Sequence, residues 1–259
     1  MSKLKGLLLT ERLHGMISQV EGLAKALDLD FFHEKVELNS FWNFIPPNFT
    51  PVSKFVFKNK IEREFDIIIS CGRKSVIPSI YLKKNSNKKI INIHIQNPKV
   101  SPNNFDYVVS PEHDNLNGPN VINSKGAIHY LTLDEINKEK NYLENKLEKN
   151  KDIITLILGG PTNYYDYSNE NIIRIFSKIN KHLIEKNLQL IFIPSNRTPK
   201  QTITFAKEYF NKSRLIIDTV DKRAYLSSLA LSKYIVVSCD SSSMISEVAL
   251  TGKPVYVAM

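Results

Sequence analysis

The stretch Tyr234-Ile-Val-Val-Ser-Cys-Asp-Ser-Ser-Ser-Met-Ile-Ser-Glu-Val-Ala-Leu-Thr-Gly-Lys-Pro-Val-Tyr-Val-Ala258 decides how the rest of the chain is read. Tyr234 to Val237 is a short β-branched run, Ser238 to Ser243 is a small polar cluster, and Met244, Ile245, Val248 and Ala249 recur at helical spacing. Strand, tight turn and helix therefore follow one another. Gly252 supplies a helix stop, Pro254 cannot continue a helix, and Val255 to Ala258 is apolar enough for the next buried strand. In such a unit the first helix amides face the carboxyl end of a parallel sheet, where the helix dipole favours an anion. Asp240, Ser241, Ser242 and Ser243 surround that opening with small side chains, and their hydroxyls can donate to phosphate oxygens. Glu247, further along the helix, can accept from sugar hydroxyls. A plainer reading covers the same residues: Asp and Ser are common helix N-caps, and Glu247 can be a solvated side chain.

Upstream, the second half repeats this grammar. Ile153 to Leu158 is a buried strand running into Gly159-Gly160-Pro161-Thr162, where glycines let backbone approach a ligand closely. A helix from about Glu170 to Lys186, a strand from Leu188 to Ile193 and the turn Pro194-Ser-Asn-Arg-Thr-Pro199 come next, with Ser195, Arg197 and Thr198 as phosphate-compatible donors. Arg214 to Ile217 reads as a short strand and Lys222 to Ser232 as a helix. Strands alternating with helices imply a parallel sheet covered on both faces. In such a sheet all strand carboxyl ends share one edge, so Thr162, Ser195, Arg197, Asp240 and Ser241 to Ser243 are expected to converge there. That convergence favours an anion site over simple capping.

The first half has the same alternation. Leu4 to Leu9 is a strand, His14-Gly15 lies in the following turn, and Ile17, Val20, Leu23, Ala24 and Leu27 form one helical face. Phe31 to Leu38, Ile67 to Ile69, Lys89 to Gln96 and Phe105 to Ser110 read as further strands. Residues 41–57 form an aromatic, proline-punctuated loop that suits either a lid or packing. The loop Pro111-Glu-His-Asp114 places an imidazole beside two carboxylates, and a buried neutral His or a turn-forming Asp is its usual explanation. Leu133 to Lys149 is polar, with Ile136, Leu143 and Leu147 as its stripe, and reads as a connecting helix. The expected organisation is α/β: two Rossmann-like domains with parallel sheets, residues 1–132 and 152–259, joined by a helix over 133–151.

Composition narrows the function classes. The 259 residues, 42% hydrophobic and 24% charged, are those of a globular chain. No apolar run approaches the roughly 18 residues needed to cross a bilayer, and the N-terminal segment is too quickly charged for a signal peptide, so a cytoplasmic location is expected. Cys71 and Cys239 each end a strand and are expected to be reduced core residues. With 35 basic against 26 acidic residues the net charge is +9, which suits a phosphorylated ligand, a polyanion or peripheral contact with an anionic membrane. The lysines are interleaved with acids and lack an aromatic stripe, which disfavours nucleic acid. No Gly-x-Gly-x-x-Gly follows the first strand, and the chain has no Gly-x-x-x-x-Gly-Lys-Ser/Thr loop, no Gly-x-Ser-x-Gly elbow and no metal-ligand spacing among its histidines. Nicotinamide, flavin and common NTPase chemistry are thereby disfavoured, and neither a cofactor nor a metal is expected.

Two Rossmann-like halves, the later of which carries a donor-type site, resemble the GT-B arrangement of glycosyltransferases and nucleotide-sugar 2-epimerases. The motifs Gly15-Met16-x-x-Gln19 with Gly22-Leu23-Ala24, Gly72-Arg73-Lys74, Gln96-Asn97-Pro98, Pro111-x-His113-Asp114 with Gly118-x-Asn120-Val121, Gly159-Gly160-Pro161-Thr162, Ser195-x-Arg197-Thr198, and Asp240-Ser241-x-Ser243-Met244-x-x-Glu247 with Thr251-Gly252-Lys253-Pro254 resemble, in order, the mitochondrial-fission "elongated mitochondria" family. The resemblance implies a GT-B-like fold and brings no established reaction. Members of that family usually continue for some tens of residues beyond the equivalent of Val257, so the second domain is expected to be incomplete at its C-terminus.

The expected activity is metal-independent sugar transfer from a nucleotide-diphosphate sugar. The diphosphate would sit on the amides and hydroxyls at Gly160, Thr162 and Ser241 to Ser243, with Gly159, Ser195, Thr198 and Asp240 also at the binding site, Arg197 would offset leaving-group charge and Glu247 would hold the ribose. His113, Asp114 or His14 would act as general base toward the acceptor. Two alternatives stand beside it: a non-catalytic interaction module on the same shell, and a nucleotide-sugar 2-epimerase.

Overall fold

The computed structural model describes residues 3–162, 165–210 and 214–259. The chain divides into two compact units, Met1–Tyr130 and Leu131–Met259. In the first unit the elements are β1 (Lys5–Thr10), α1 (His14–Ala26), β2 (Asp30–Lys35), β3 (Ile67–Cys71), α2 (Val76–Lys84), β4 (Ile91–Ile95), β5 (Tyr107–Pro111) and β6 (Val121–Ser124). Among the described residues these strands form one sheet in the order β2-β1-β3-β4-β5-β6, parallel throughout. Side chains alternate across a strand, so Leu7, Leu9, Ile68 and Val108 meet Val76, Ile77 and Ile80 of α2 on one face. On the other face Leu8, Ile67, Ile69, Ile93 and Ile95 meet Val20 and Ala24 of α1. Both faces are covered, as the continuous apolar runs require.

The buried imidazole of this unit belongs to His94 rather than His113. His94 sits beneath Phe105, its Nδ1 is 2.9 Å from the Ser70 hydroxyl, and burial lowers its pKa to about 3, so it is neutral at ordinary pH. Residues 36–66 link β2 to β3, with short turns at Ser40–Asn43, Pro47–Phe49 and Lys54–Val56. Leu38 pairs with Phe57 across the base of this loop, and Trp42 packs against the first core face.

In the second unit the elements are α3 (Leu133–Lys138), α4 (Asn141–Glu144), β7 (Ile153–Leu158), α5 (Asn169–Glu185), β8 (Gln189–Pro194), α6 (Lys200–Tyr209), β9 (Arg214–Ile216), α7 (Lys222–Leu231), β10 (Tyr234–Ser238), α8 (Ser242–Ala249) and β11 (Val255–Ala258). Among the described residues the sheet order is β11-β10-β7-β8-β9, again parallel. Phe176 of α5 lies at the centre of its core, stacked on Phe205 at 5.5 Å and edge-on to Phe192 at 6.3 Å. Gly252 adopts φ +65°, the left-handed stop expected after α8.

Two details differ from the sequence reading. The single connecting helix is instead two short ones, α3 and α4, with Ile136 and Leu143 buried. Ser227 of α7 explains the break: its hydroxyl accepts from Leu143 N at 3.1 Å and donates to Lys140 O at 2.8 Å, satisfying backbone that a continuous helix would have bonded internally. The last strand is not buried. β11 is an edge strand paired with β10, and Tyr256 and Val257 are 56% and 45% exposed.

The Phe176→Ala variant is expected to lose about 3–5 kcal/mol of stability through transfer and cavity costs together, measured by denaturant titration.

Candidate functional site

The carboxyl edge of the second sheet is organised by Asp240, which lies between β10 and α8 with its side chain wholly shielded from solvent. One carboxylate oxygen, Oδ1, accepts from the Ser238 hydroxyl at 2.6 Å and from the Tyr167 hydroxyl at 2.9 Å. The other, Oδ2, accepts from Arg197 through Nε at 3.2 Å and through Nη2, and from Gly160 N at 3.4 Å. Ser238 in turn accepts from Gly159 N at 2.7 Å. The turns after β7, β8 and β10 thus meet on one carboxylate.

This meeting dictates the two glycines. A Cβ on Gly159 would lie 2.0 Å from Asp240 Oδ1, and one on Gly160 would lie 1.9 Å from Arg197 O. Burial pushes the Asp240 pKa up, but hydrogen bonds from Ser238, Arg197 and Tyr167 outweigh it and hold the carboxyl below its usual range. Tyr167 is shifted the other way, first by burial and then by the carboxylate, so it stays protonated and donating.

The remaining predicted residues divide between building the edge and facing out from it. Thr198 is buried; its hydroxyl donates to Leu158 O at 2.6 Å and accepts from Ser195 N at 2.8 Å, which locks the β8 turn onto β7. The Ser195 hydroxyl accepts from Arg197 N at 3.1 Å within the same turn. Ser241 is the N-cap of α8 and accepts from Met244 N at 3.4 Å, so for this serine the capping role is the one observed. Ser242 is exposed at the first helical position, and Ser243 is half-buried behind it. The Thr162 hydroxyl accepts from Tyr165 N at 3.2 Å. Glu247 accepts from the Tyr225 hydroxyl of α7 at 2.9 Å, which orients its carboxylate. Lys253 donates to Leu229 O and Ala230 O at 2.6 and 2.7 Å, satisfying the C-terminal carbonyls of α7.

Sequence reasoning missed Tyr167 and Tyr225. Both are tyrosines whose partners lie far along the chain, so local spacing carries no sign of them. Ser238 belongs to the polar cluster without standing out as a site residue, and its place two residues before Asp240 is the signal that could have found it.

In the first unit the candidate bases are spread out. His14 follows β1 and opens α1, whereas His113 and Asp114 follow β5, with β3 and β4 between them in the sheet. Both histidines are exposed. Asp114 accepts from Asn97 N at 3.3 Å and from the Ser110 hydroxyl at 3.2 Å, which ties the β4 and β5 turns together. Ser75 is buried, and its hydroxyl donates to Gly72 O at 2.8 Å. Cys71 is buried, its thiol pKa pushed up by burial and by Glu11, while Cys239 is only partly buried. Among the described residues no cluster of three or more His, Cys, Asp or Glu side chains could hold a metal ion, and no helix is long and apolar enough to cross a membrane.

Because its folded pKa is depressed, Asp240 contributes stability above its unfolded pKa of about 3.9, and that contribution is lost as pH falls through the folded value. Asp240→Asn is expected to lose about 1–3 kcal/mol near neutrality. The gap to the parent chain should be flat above about pH 5 and shrink below about pH 4 in denaturant titrations across pH.

Comparison with known proteins agrees with this geometry at the level of fold. Relatives by sequence include "Uncharacterized protein RP120" of Rickettsia prowazekii (strain Madrid E), 28% identical over 228 residues covering 74% of this chain and 64% of that one. "Mitochondrial fission protein ELM1" of Arabidopsis thaliana is 23% identical over 216 residues, 74% of this chain and 51% of the relative. The matched region thus makes up between half and two thirds of these relatives. Among solved structures, UDP-GlcNAc 2-epimerase from Methanocaldococcus jannaschii superposes with TM-score 0.60 at 14% identity, covering 98% of this chain and 83% of that one. The catalytic domain of starch synthase IV from Arabidopsis thaliana, bound to ADP and acarbose, gives 0.57 at 10% identity, covering 99% and 83%. Two parallel α/β units and these neighbours make the fold GT-B-like. Residues 14–259 match the family described as "Mitochondrial fission ELM1", and the chain belongs to that family.

Proposed function

We propose that this chain binds a nucleotide-diphosphate sugar at the carboxyl edge of its second sheet and transfers the sugar to an acceptor without a metal. The observation that carries the reading is the assembly of Gly160, Arg197 and Asp240 beside the N-terminus of α8. A helix N-terminus favours a diphosphate through its dipole and its outward amides. Arg197 is 46% exposed and meets Asp240 through Nε and Nη2, so Nη1 is the edge that would face a phosphate. Glu247, oriented by Tyr225, would accept from ribose hydroxyls. Solved neighbours described with UDP, UDP-GlcNAc or ADP bound add weight to a nucleotide ligand.

Transfer would proceed by attack of an acceptor oxygen on the anomeric carbon, with the bond to the diphosphate breaking. The electron pair leaves on the diphosphate, where Arg197 and the α8 dipole oppose the developing charge. The acceptor proton would pass to a general base, for which an imidazole is the side chain with an ordinary pKa nearest neutrality. A 2-epimerase is the second reading, favoured by several fold neighbours that carry that name; it would convert its donor with no acceptor added.

The test is a thermal-shift panel of UDP-, GDP-, ADP- and CMP-sugars, each with and without EDTA. At about a hundred times Kd a ligand should stabilise the chain by about 2.7 kcal/mol. A response to one base class that is unchanged by EDTA and lost in Ser242→Glu is the expected result. That variant places an acid where the α8 dipole favours it, so the unliganded midpoint should hold while an anion is repelled. No shift across the panel overturns the proposal and leaves an interaction module on the same shell as the better account.

A further inference from the structure

The loop joining β2 to β3 exposes more large apolar surface than any purely structural role requires. Phe41, Phe44, Phe49 and Phe55 are 66%, 85%, 74% and 59% exposed, and Val52 lies among them. Scattered exposed apolar residues need no explanation, but four phenylalanines within one loop do. The loop is well built. Asn39 N bonds Val56 O at 2.9 Å, Phe49 N bonds Pro46 O at 3.0 Å, Thr50 N bonds Pro47 O at 3.1 Å, and Arg73 reaches across from the β3 turn to Ile45 O at 3.1 Å. Trp42 anchors it from below and touches Phe41 and Phe55 at 5.0 and 5.9 Å between ring centroids. A held backbone with outward rings loses little conformational freedom when the rings are buried.

Charge says what would bury them. Between Asn39 and Lys60 the sequence contains Lys54, Lys58 and Lys60 and no Asp or Glu, within a chain of net charge +9. Phe55 stands between Lys54 and Lys58, and a loop of outward rings with lysines at one end and no acid between Asn39 and Lys60 matches the interfacial zone of an anionic bilayer, where rings enter the acyl boundary and ammonium groups stay among the headgroups.

We propose that residues 39–60 form a docking surface for an anionic phospholipid membrane, with Phe41, Phe44, Phe49 and Phe55 inserted and Lys58 and Lys60 at the headgroups. This site is separate from the sugar-nucleotide reading and does not depend on it.

The experiment is co-sedimentation of the full chain with vesicles of phosphatidylcholine alone and of phosphatidylcholine mixed with phosphatidylglycerol. Binding is expected on the mixed vesicles and at least tenfold weaker on the neutral ones. Phe44→Ser with Phe49→Ser should reduce binding to mixed vesicles at least tenfold at an unchanged melting temperature, because both rings face solvent. Lys58→Glu with Lys60→Glu should do the same and remove the dependence on phosphatidylglycerol. Failure to sediment with mixed vesicles overturns the proposal, as does binding that the phenylalanine pair leaves unchanged. Self-association in light scattering that disappears with the phenylalanine pair, in the absence of vesicle binding, would assign the loop to a protein contact and overturn it equally.

Discussion

The shielded carboxylate of Asp240 is the constraint on which the second unit's functional edge depends. A buried charge is tolerable only where its hydrogen-bonding capacity is filled, and here two hydroxyls, a guanidinium and a backbone amide fill it. Each donor comes from a different place in the chain, so that filling the carboxylate fixes the turns after β7, β8 and β10 relative to one another. The glycines at 159 and 160 follow from this arrangement, because any side chain there would occupy the space of the carboxylate or of the Arg197 backbone. Asp240 is thus an internal anion that sets the stage beside α8, and the solvent-facing parts of Arg197 and Ser242 are what an external anion would meet.

The two sheets solve the same problem differently at their carboxyl edges. In the second unit the edge is bound together through one acid. In the first it is bound pairwise, with Asp114 linking the β4 and β5 turns and Arg73 linking the β3 turn to the loop before it. Pairwise ties leave His14 and His113 on separate turns, and a long insertion such as residues 39–57 is accommodated without disturbing the sheet beneath.

How much of this was legible in the sequence depends on the range of the interaction. Parallel α/β architecture was readable because buried strands leave continuous apolar runs such as Ile153 to Leu158 and helices leave stripes such as Ile172, Ile175, Phe176 and Ile179. The meeting of Arg197 with Asp240 was readable because parallel topology forces strand ends together. The helix over 133–149 was misjudged because its break depends on a hydroxyl of Ser227, far along the chain. The same holds for Tyr167 and Tyr225, and for the direction in which Thr198 and Ser241 spend their hydroxyls: local spacing identifies a donor, not its acceptor.

The chain contains a single tryptophan, and it is Trp42, half-buried between Phe41 and Phe55 in the first unit. Indole emission from the whole protein is therefore a local gauge of that loop, blind to the second unit, whereas far-ultraviolet dichroism averages both sheets. Unfolding curves recorded by the two probes would coincide only if the units melt together, so the position of one aromatic ring turns a routine pair of spectra into a measure of cooperativity between two halves of the chain.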